Sequence, residues 1–516
     1  MEEMIAIIDF GSQYSALIAR RFRELGVYSE LFSHATSAKE LIRLPVKGIV
    51  LSGGPNSIYA TGAPSLDPSI LALQLPILGI CYGMQALAHA LWGKVTAAEA
   101  REYGRARVKV STDNPLLPRG TLPVWMSHGD QVTEVPPGFR VLAGTGNCPV
   151  AAMADFKRKI FGLQFHPEVE QTLDGMEILR CFALEICGCS PSWKPASIIT
   201  QAVESVKKQV GDKKVLAGLS GGVDSAIATA IVRKAIGDNL TAVFVDTGLL
   251  RKGEPQAVEA AFRPILGDHL VVVDASDEFY EKLKGVTEPE AKRRIIGSLF
   301  IDTFQRTSTQ LGDFPFLVQG TIYPDVIESS SPGSKSSERI KSHHNVGGLP
   351  EKMPFKVVEP LRQLFKDEVR RVGEELGLPA ELVWRQPFPG PGLAVRCLGK
   401  VTRERVAVLR EADAIFTSEL AHAGLLGKPV NRKMISQAFA VLLPVRSVGV
   451  MGDGRTYQEV VALRAVRTSD FMTAEWFPVP ARLLARISSR IVNEVRGVNR
   501  VVYDITGKPP ATIEWE

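Results

Sequence analysis

The sequence predicts an α/β fold with two doubly wound parallel-sheet domains followed by a small α+β C-terminal domain. Short apolar runs alternate with helical patterns in about the first 190 residues and again after about residue 197, which is typical of parallel sheets covered by helices. Breaks rich in proline, glycine and small residues interrupt this alternation. The end of the chain mixes a helical pattern with strand-like runs. The predicted domains are 1–190, 191–390 and 391–516.

The composition is that of a globular protein with an ample core. Of the 516 residues, 45% are hydrophobic and 23% are charged, and the net charge is +5. Basic clusters at 20–23 and 292–294 have acidic neighbours and indicate solvated helix faces, so no nucleic-acid partner is expected. Six cysteines without a C-x-x-C pair, no signal-peptide pattern and no apolar stretch of ~18 residues predict a cytoplasmic protein without a membrane partner.

The elements of the first domain can be placed in order. An apolar run at 4–8 predicts the first strand. Ser12 is expected to cap a helix whose apolar residues recur at helical spacing until Gly26 ends it. Runs at 48–52 and 76–80 predict further parallel strands.

A cysteine stands between the strand at 76–80 and a helical pattern. The segment GICYG at 79–83 has the form of a nucleophile elbow with sulfur in place of oxygen. A helix N-terminus favours the thiolate, which is the reactive form of Cys81. The backbone N–H of Tyr82 and a glycine of the SGGP segment, Gly54, are the predicted oxyanion-hole donors. The alternative for a lone cysteine is a buried structural residue.

A histidine and a glutamate follow the apolar strand predicted at 160–165. His166 is predicted to act as base to Cys81, and Glu168 to orient its ring. An H-x-E metal site is the alternative, but the P-C-x-x-C partner of a zinc deaminase is absent. Together, DFGSQY, SGGP, GICYGMQ, HGD and QFHPE closely resemble the class I glutamine amidotransferases. The resemblance implies that Cys81 forms a glutamyl thioester and releases ammonia, with His166 and Glu168 completing the triad.

A second motif, SGGVDS, lies between a strand-like run at 215–219 and a helical pattern at 226–236. Such a turn aims backbone N–H groups and the positive end of a helix dipole at an anion, but this one lacks the Gly-Lys-Ser/Thr ending of a Walker A loop. It resembles the pyrophosphate loop of ATP pyrophosphatases, which split ATP into AMP and pyrophosphate. The predicted ATP-binding residues are Ser220, Gly221, Gly222, Val223, Asp224, Ser225 and Ala226.

Magnesium is the expected cofactor, because phosphoryl-transfer sites need a cation clamp, and no organic prosthetic group is expected. Asp224 is the candidate metal-facing carboxylate, although a plain helix N-cap would also explain it.

Further strands are predicted at 240–246 and 269–274, and ligands of a doubly wound sheet bind at the carboxyl ends of its strands. The stretch 329–341, rich in Ser, Gly and Lys, is expected to form a lid over ATP.

The tail KPPATIEWE at 508–516 is expected to be extended, because residues before proline avoid the α region. Composition alone favours a frayed terminus. With QGTIYPD, IKSHHN, FKDEV, PFPGPG and this tail in view, the whole chain resembles the glutamine-hydrolysing GMP synthetase family.

The resemblance implies that ATP adenylylates the C2 oxygen of xanthosine monophosphate (XMP) and that ammonia then displaces AMP to give GMP. It also implies a homodimer formed through the C-terminal domain, and a place for Lys366 near the reacting phosphates. The XMP contacts that it implies are Arg293, Asp453, Gln458, Lys508 and Glu514.

Other classes of protein fit less well. A tRNA-modifying thiolase or lysidine ligase favours a basic RNA-binding module, and the chain has none. Argininosuccinate synthetase is a further alternative within the same loop family. NAD synthetase pairs its synthetase domain with a different type of glutaminase domain. CTP synthetase has the same kind of glutaminase domain but places it at the end of the chain. A nucleotide-sensing scaffold without turnover is opposed by the presence of all three triad residues and an intact SGGVDS loop.

Overall fold

The computed structural model describes residues 2–330, 355–427, 434–451, 454–468 and 473–516. The chain divides into two compact units, Met1–Ser197 and Ile198–Glu516. Among the described residues, none of the helices combines the length and the hydrophobicity that crossing a membrane requires.

The first unit contains a large mixed sheet. Its strands are β1 (Met4–Asp9), β2 (Tyr28–Ser33), β3 (Val46–Leu51), β4 (Ile77–Ile80), β5 (Lys94–Val110), β6 (Thr121–Glu134), β7 (Arg140–Gly144), β8 (Ala152–Asp155) and β9 (Ile160–Leu163), and its helices are α1 (Ser15–Glu24), α2 (Ala38–Leu41), α3 (Tyr82–Ala90) and α4 (Gly175–Arg180).

The strand order in this sheet is β2-β1-β3-β4-β9-β8-β7-β5-β6. Pairing is parallel from β2 to β9 and antiparallel from β9 to β6. Strands β1, β3 and β4 are largely apolar and buried, as expected for the centre of a parallel sheet that is covered on both faces. They and β9 correspond to the four predicted strands. The long ribbon β5–β6 was not predicted.

The prediction for the first helix was wrong at its start. Helix α1 begins at Ser15, and Ser12 does not cap it; the Ser12 hydroxyl instead accepts the Tyr14 N–H at 3.1 Å within the preceding turn. Gly26 follows the end of the helix with φ of 80°, a conformation that glycine adopts without steric cost, so the predicted end is confirmed.

The second unit contains two sheets. The division between the units falls in the first turn of helix α5 (Pro195–Val210). The strands are β10 (Val215–Leu219), β11 (Leu240–Asp246), β12 (Leu270–Asp274), β13 (Phe316–Val318), β14 (Lys356–Val358), β15 (Gln437–Met451), β16 (Gly454–Arg467), β17 (Glu475–Trp476) and β18 (Val498–Tyr503), and the helices are α5 (Pro195–Val210), α6 (Val223–Ile236), α7 (Glu254–Leu266), α8 (Ser276–Lys282), α9 (Pro289–Leu311), α10 (Tyr323–Ser330), α11 (Lys366–Glu375), α12 (Ala380–Val383), α13 (Arg403–His422) and α14 (Ala481–Glu494).

The first of these sheets is parallel, with the order β12-β11-β10-β13-β14. Its central strand β10 pairs with β11 on one side and β13 on the other, which makes the carboxyl end of β10 a topological switch point. In the second sheet, β15, β16 and β17 are antiparallel and β18 runs parallel to β16. The predicted fold class is confirmed. One hydrophobic core extends from Leu216 to Val498, and a domain boundary at residue 390 stays a prediction.

The C-terminal tail is anchored, so the composition-based expectation of a frayed end was wrong. The guanidinium of Arg464 is fully buried and donates to the backbone carbonyls of Thr506, Thr512 and Ile513 at 2.7 to 3.0 Å. The Ile513 side chain is itself buried. A buried guanidinium whose donors meet several carbonyls fixes the path of the segment that supplies them.

Candidate active sites

Cys81 occupies a strained corner between β4 and α3. Its backbone has φ of 51° and ψ of −107°, a region that residues with a side chain rarely occupy. The Cys81 N–H donates to the Leu163 carbonyl at 2.7 Å, which ties this corner to β9. A turn of this shape presents the side chain at the carboxyl edge of the sheet, as in a nucleophile elbow.

The glycines of this corner are required by close packing. A Cβ on Gly83 would lie 2.3 Å from the Leu51 carbonyl oxygen, and one on Gly79 would lie 2.6 Å from the Gly83 carbonyl oxygen. Real Cβ atoms do not approach backbone that closely, so α3 can start directly over the sheet only with glycine at both positions.

His166 and Glu168 form a buried pair. The Nδ1 of His166 lies 2.7 Å from Oε1 of Glu168, and both side chains are less than 5% exposed. Burial acts to lower the pKa of His166, but the Glu168 carboxylate and a hydrogen bond with the Cys81 sulfur outweigh it, so the pKa of the ring lies well above its ordinary value. The structure thus brings the three predicted triad residues together, and the charged form of the His166 ring is favoured beside the sulfur.

The sulfur of Cys81 has further neighbours that sequence reasoning missed. Nε2 of Gln164 lies 3.7 Å from it, and the Ser127 carbonyl lies 3.6 Å from it. Gln85 donates to Oε1 of Gln164 at 3.3 Å and to the Asp130 carbonyl at 2.9 Å. A signal for the two glutamines existed, because both stand inside the segments GICYGMQ and QFHPE.

The two predicted oxyanion-hole residues are neighbours in space. A Cβ on Gly54 would lie 3.2 Å from Cγ of Tyr82, so Gly54 packs against the side chain of the first residue of α3. Tyr82 is the first residue of α3, and first-turn N–H groups have no acceptor within a helix. The Tyr82 N–H therefore has no acceptor within its own helix, as the oxyanion-hole prediction requires.

Replacing Glu168 by glutamine should make Cys81 less reactive near neutral pH. Without the carboxylate, burial dominates and the pKa of His166 should fall, so the imidazolium that stabilises the thiolate is lost. The pH dependence of Cys81 alkylation by iodoacetamide measures this. We expect the reactive range to move to higher pH and the rate near pH 7 to fall by at least about tenfold. Glu170→Gln, at an exposed neighbouring position, is the control. An unchanged profile in Glu168→Gln would contradict the assignment.

The SGGVDS loop lies at the carboxyl end of β10, at the switch point. Gly221 has φ of 75°, which glycine tolerates, and Gly222 precedes the first residue of α6. The hydroxyls of Ser220 and Ser225 lie 3.1 Å apart, and Ser225 also donates to the Gly222 carbonyl at 3.0 Å. The turn is thus held by hydrogen bonds of its own serines at the start of α6.

Three cationic side chains surround this loop. Lys366, the first residue of α11, forms an ion pair with Asp224. Arg370 stands one turn later on α11 and is within electrostatic range of Asp224. Arg385 pairs with Glu254, and its guanidinium would lie 3.3 Å from a Cβ on Gly221. The two arginines were missed, although Arg370 follows Lys366 at helical spacing and therefore shares its face.

Asp224 also faces the segment after β13. A Cβ on Gly320 would lie 3.1 Å from the Asp224 carbonyl carbon and 3.1 Å from the Ser225 nitrogen, so the QGTIYPD segment reaches the loop. Among the described residues, Oδ1 of Asp224 is buried without a hydrogen-bond partner. Of the predicted lid at 329–341, all but the last residues of α10 lie outside the described residues.

Three of the predicted XMP residues lie on or beside the tail. Arg293 donates to the carbonyl of Glu516 at 2.6 Å. Both carboxylate oxygens of Glu514 accept from Arg396, at 2.8 and 3.0 Å. Lys508 pairs through its backbone with Ala474. Glu514 therefore anchors the tail, a structural role that the sequence did not reveal.

Of the other two XMP candidates, Gln458 can be placed, and it lies far from Lys508 along β16. Asp453 lies outside the described residues. Gln458 lies near the start of β16, whereas Ala474 and Lys508 pair close to its other end, beyond Val466. From Gln458 to Arg467, the last residue of β16, the strand advances by nine residues, which is about 30 Å.

Three family models match successive parts of the chain. They are described as glutamine amidotransferase class-I over residues 6–186, NAD synthase over residues 196–277 and GMP synthase C terminal domain over residues 426–515. This chain is 54% identical to a protein named GMP synthase (glutamine-hydrolyzing) from Paraburkholderia phytofirmans and 55% identical to one of the same name from Geobacillus kaustophilus. Each comparison covers 100% of this chain and 100% of the relative. The chain belongs to the glutamine-hydrolysing GMP synthases. A GMP synthase from Clostridium novyi is 54% identical over 100% of this chain and 99% of its own.

Membership in the GMP synthase family confirms that the protein is an enzyme. The region that matches the amidotransferase model contains Cys81, His166 and Glu168, and the region that matches the NAD synthase model contains the SGGVDS loop. The region that matches the GMP synthase C terminal domain contains β15 to β18 and most of the tail.

Proposed function

We propose that this enzyme makes GMP from XMP, ATP and glutamine in two coupled half-reactions. Glutamine is hydrolysed at Cys81 to glutamate and ammonia. The C2 oxygen of XMP attacks the α-phosphorus of ATP and releases pyrophosphate, and ammonia then attacks C2 and displaces AMP. The observation that carries the synthetase half is the SGGVDS loop at the switch point of its sheet, ringed by Lys366, Arg370 and Arg385.

The glutaminase half rests on the geometry around Cys81. The thiolate attacks the side-chain carbonyl carbon of glutamine, while the N–H groups of Tyr82 and Gly54 stabilise the oxyanion. His166 gives its proton to the departing ammonia and then activates the water that hydrolyses the thioester. Glu168 holds the ring in place and favours its charged form. The strained backbone of Cys81, at the corner between β4 and α3, distinguishes this residue from an ordinary structural cysteine.

The synthetase half needs the leaving pyrophosphate to be bound and neutralised. The N–H groups of the loop suit the β and γ phosphates, and Lys366 could exchange its partner Asp224 for a phosphate oxygen. Oδ1 of Asp224, which is buried and has no hydrogen-bond partner in the described part of the chain, fits a Mg²⁺ ion carried by ATP. When bound, that ion would neutralise charge on the phosphate oxygens.

XMP is the proposed acceptor, with Arg293 and Lys508 as phosphate contacts and Glu514 as a contact to the purine. Gln458 lies about 30 Å of strand away from Lys508, so we infer that it reaches the Lys508 end of the site from a second copy of the chain. The same end of the β15–β16 hairpin exposes Val448, Val450 and Tyr457, on one face of the sheet. These residues favour a homodimer, and a monomer mass in sedimentation equilibrium would remove this part of the proposal.

Pyrophosphate release from ATP, with magnesium and an ammonium salt, tests the acceptor. We expect release with XMP and none with deamido-NAD or UTP, and GMP should appear in equal amount. Lys508→Ala should raise the XMP concentration for half-maximal rate by about tenfold, which is ~1.4 kcal/mol of lost binding. Lys282→Ala, at an exposed position on α8, is the matched control. Release with another acceptor would overturn the XMP assignment, and an unchanged XMP dependence would remove Lys508 from the site.

A further inference from the structure

Three side chains of different chemistry converge in the first unit, beside the residues around Cys81. They are Glu102 on β5, His128 on β6 and Cys148 in the loop between β7 and β8, and their ligand atoms all lie within 4.8 Å of one another. His128 and Cys148 are buried, and the Glu102 side chain is only 11% exposed. Carboxylate oxygen, imidazole nitrogen and thiolate sulfur are the donors that bind Zn²⁺ in proteins.

The hydrogen bonds of His128 leave one of its nitrogens without a proton to share. Nδ1 lies 3.0 Å from the Asp130 carbonyl and Nε2 lies 3.3 Å from Oε2 of Glu102, so both neighbours are acceptors. A neutral imidazole has one N–H and can donate to only one of them. When Nδ1–H donates to the carbonyl, the lone pair of Nε2 faces the carboxylate. A cation between the two would turn that repulsion into two ligand bonds.

The groups behind these ligands are arranged as an outer shell. Ligating histidines usually donate their other N–H to a carbonyl or carboxylate, which is the role that the Asp130 carbonyl plays here. Oγ1 of Thr145 donates to Oε1 of Glu102 at 2.8 Å and accepts the Cys148 N–H at 2.9 Å. One threonine thus orients two of the three residues.

We propose that Glu102, His128 and Cys148 form a binding site for a divalent cation of the zinc class. Ionised Glu102 and the Cys148 thiolate together balance the two charges of the ion, which makes burial of the cluster tolerable. Binding forms a metal–sulfur bond and breaks the S–H bond, and the proton leaves to solvent.

The site is joined to the glutamine-hydrolysing residues by short contacts. The Asp130 carbonyl that accepts from His128 also accepts from Gln85, and Gln85 contacts Gln164 beside the Cys81 sulfur. The carbonyl of Ser127, next to His128 on β6, itself lies 3.6 Å from that sulfur. A bound cation would therefore hold in place the stretch of β6 that lines the nucleophile.

Cobalt(II) binding to the full-length Cys81→Ala protein tests the proposal. The Cys81 change removes the thiol–imidazole pair of Cys81 and His166, which could also bind the ion. We expect one Co²⁺ bound per chain and an intense thiolate-to-cobalt charge-transfer band. When Zn²⁺ is added in an amount equal to the Co²⁺, the bound Co²⁺ and the band should both be lost. Adding Cys148→Ser should abolish the band, and adding Glu102→Gln should weaken binding by at least about tenfold. Cys181→Ser, which removes a partly exposed cysteine of the same unit, should leave the band unchanged.

Two results would overturn the proposal. One is a Co²⁺ complex without a thiolate band, and the other is a band that persists in Cys148→Ser. The first would mean that Cys148 is not a ligand of the ion, and the second would mean that a different cysteine supplies the sulfur. Because Cys148→Ser could disturb folding, Glu102→Gln provides the second arm, with far-UV circular dichroism to verify that the fold is kept. Unchanged Co²⁺ affinity in that folded variant would equally reject the site.

Discussion

Replacing Cys81 by alanine should reduce glutamine-dependent GMP formation by at least about 10⁴-fold, because the thioester cannot form without the sulfur. GMP formation from ammonium salt should continue, since the synthetase half needs only ammonia. Alanine has the same Cβ as cysteine, so the strained backbone at φ of 51° is neither relieved nor worsened. The measurement is GMP production from XMP and ATP with each nitrogen source.

The control for this change is Cys181→Ala, which removes a partly exposed cysteine elsewhere in the same unit and should leave both activities as they were. Loss of both activities in Cys81→Ala would refute the division of labour between the two half-reactions. Retention of glutamine-dependent synthesis would instead show that Cys81 is a structural cysteine.

The parts of both sites that sequence reasoning found are those written in contiguous segments. A nucleophile elbow and an anion-binding turn each depend on a few residues between one strand and one helix, so their glycines and their spacing are visible in the chain. Cys81 between β4 and α3 and the SGGVDS loop between β10 and α6 are of this kind. His166 and Glu168 were found because they stand two residues apart after a strand.

The parts that were missed depend on contacts between residues far apart in the chain. Arg385 meets Glu254 from 131 residues away, and Arg396 meets Glu514 from 118 residues away. Neither pair leaves a local pattern, because packing of separate elements decides which charges meet. The same reason explains the error about the tail. Its proline-rich composition is typical of a frayed end, but the buried guanidinium of Arg464 donates hydrogen bonds to its carbonyls and holds it in place. Ribbon β5–β6 was missed because its strands carry mixed polar and apolar residues.

Replacing Lys366 by alanine should lower GMP formation by about 10²–10³-fold with glutamine and with ammonium salt alike, because both depend on the same adenylylation step. Lys366 stands at the N-terminus of α11, a place that only a strong partner makes favourable for a cation, and here that partner is Asp224. When pyrophosphate accumulates charge in the transition state, the ammonium group of Lys366 can stabilise it. XMP-dependent pyrophosphate release measures the step directly.

Arg371→Ala is the matched control for Lys366, because it removes a cation from the same helix that pairs with Asp367 at the surface and should change neither rate by more than about twofold. A large loss with glutamine but a normal rate with ammonium salt in Lys366→Ala would place this lysine in ammonia supply and not in the ATP site. Normal rates with both would mean that the ion pair with Asp224 only holds the loop in shape. The expected common loss with both nitrogen sources would place Lys366 in the adenylylation half of the reaction, since adenylylation is the step that both routes share.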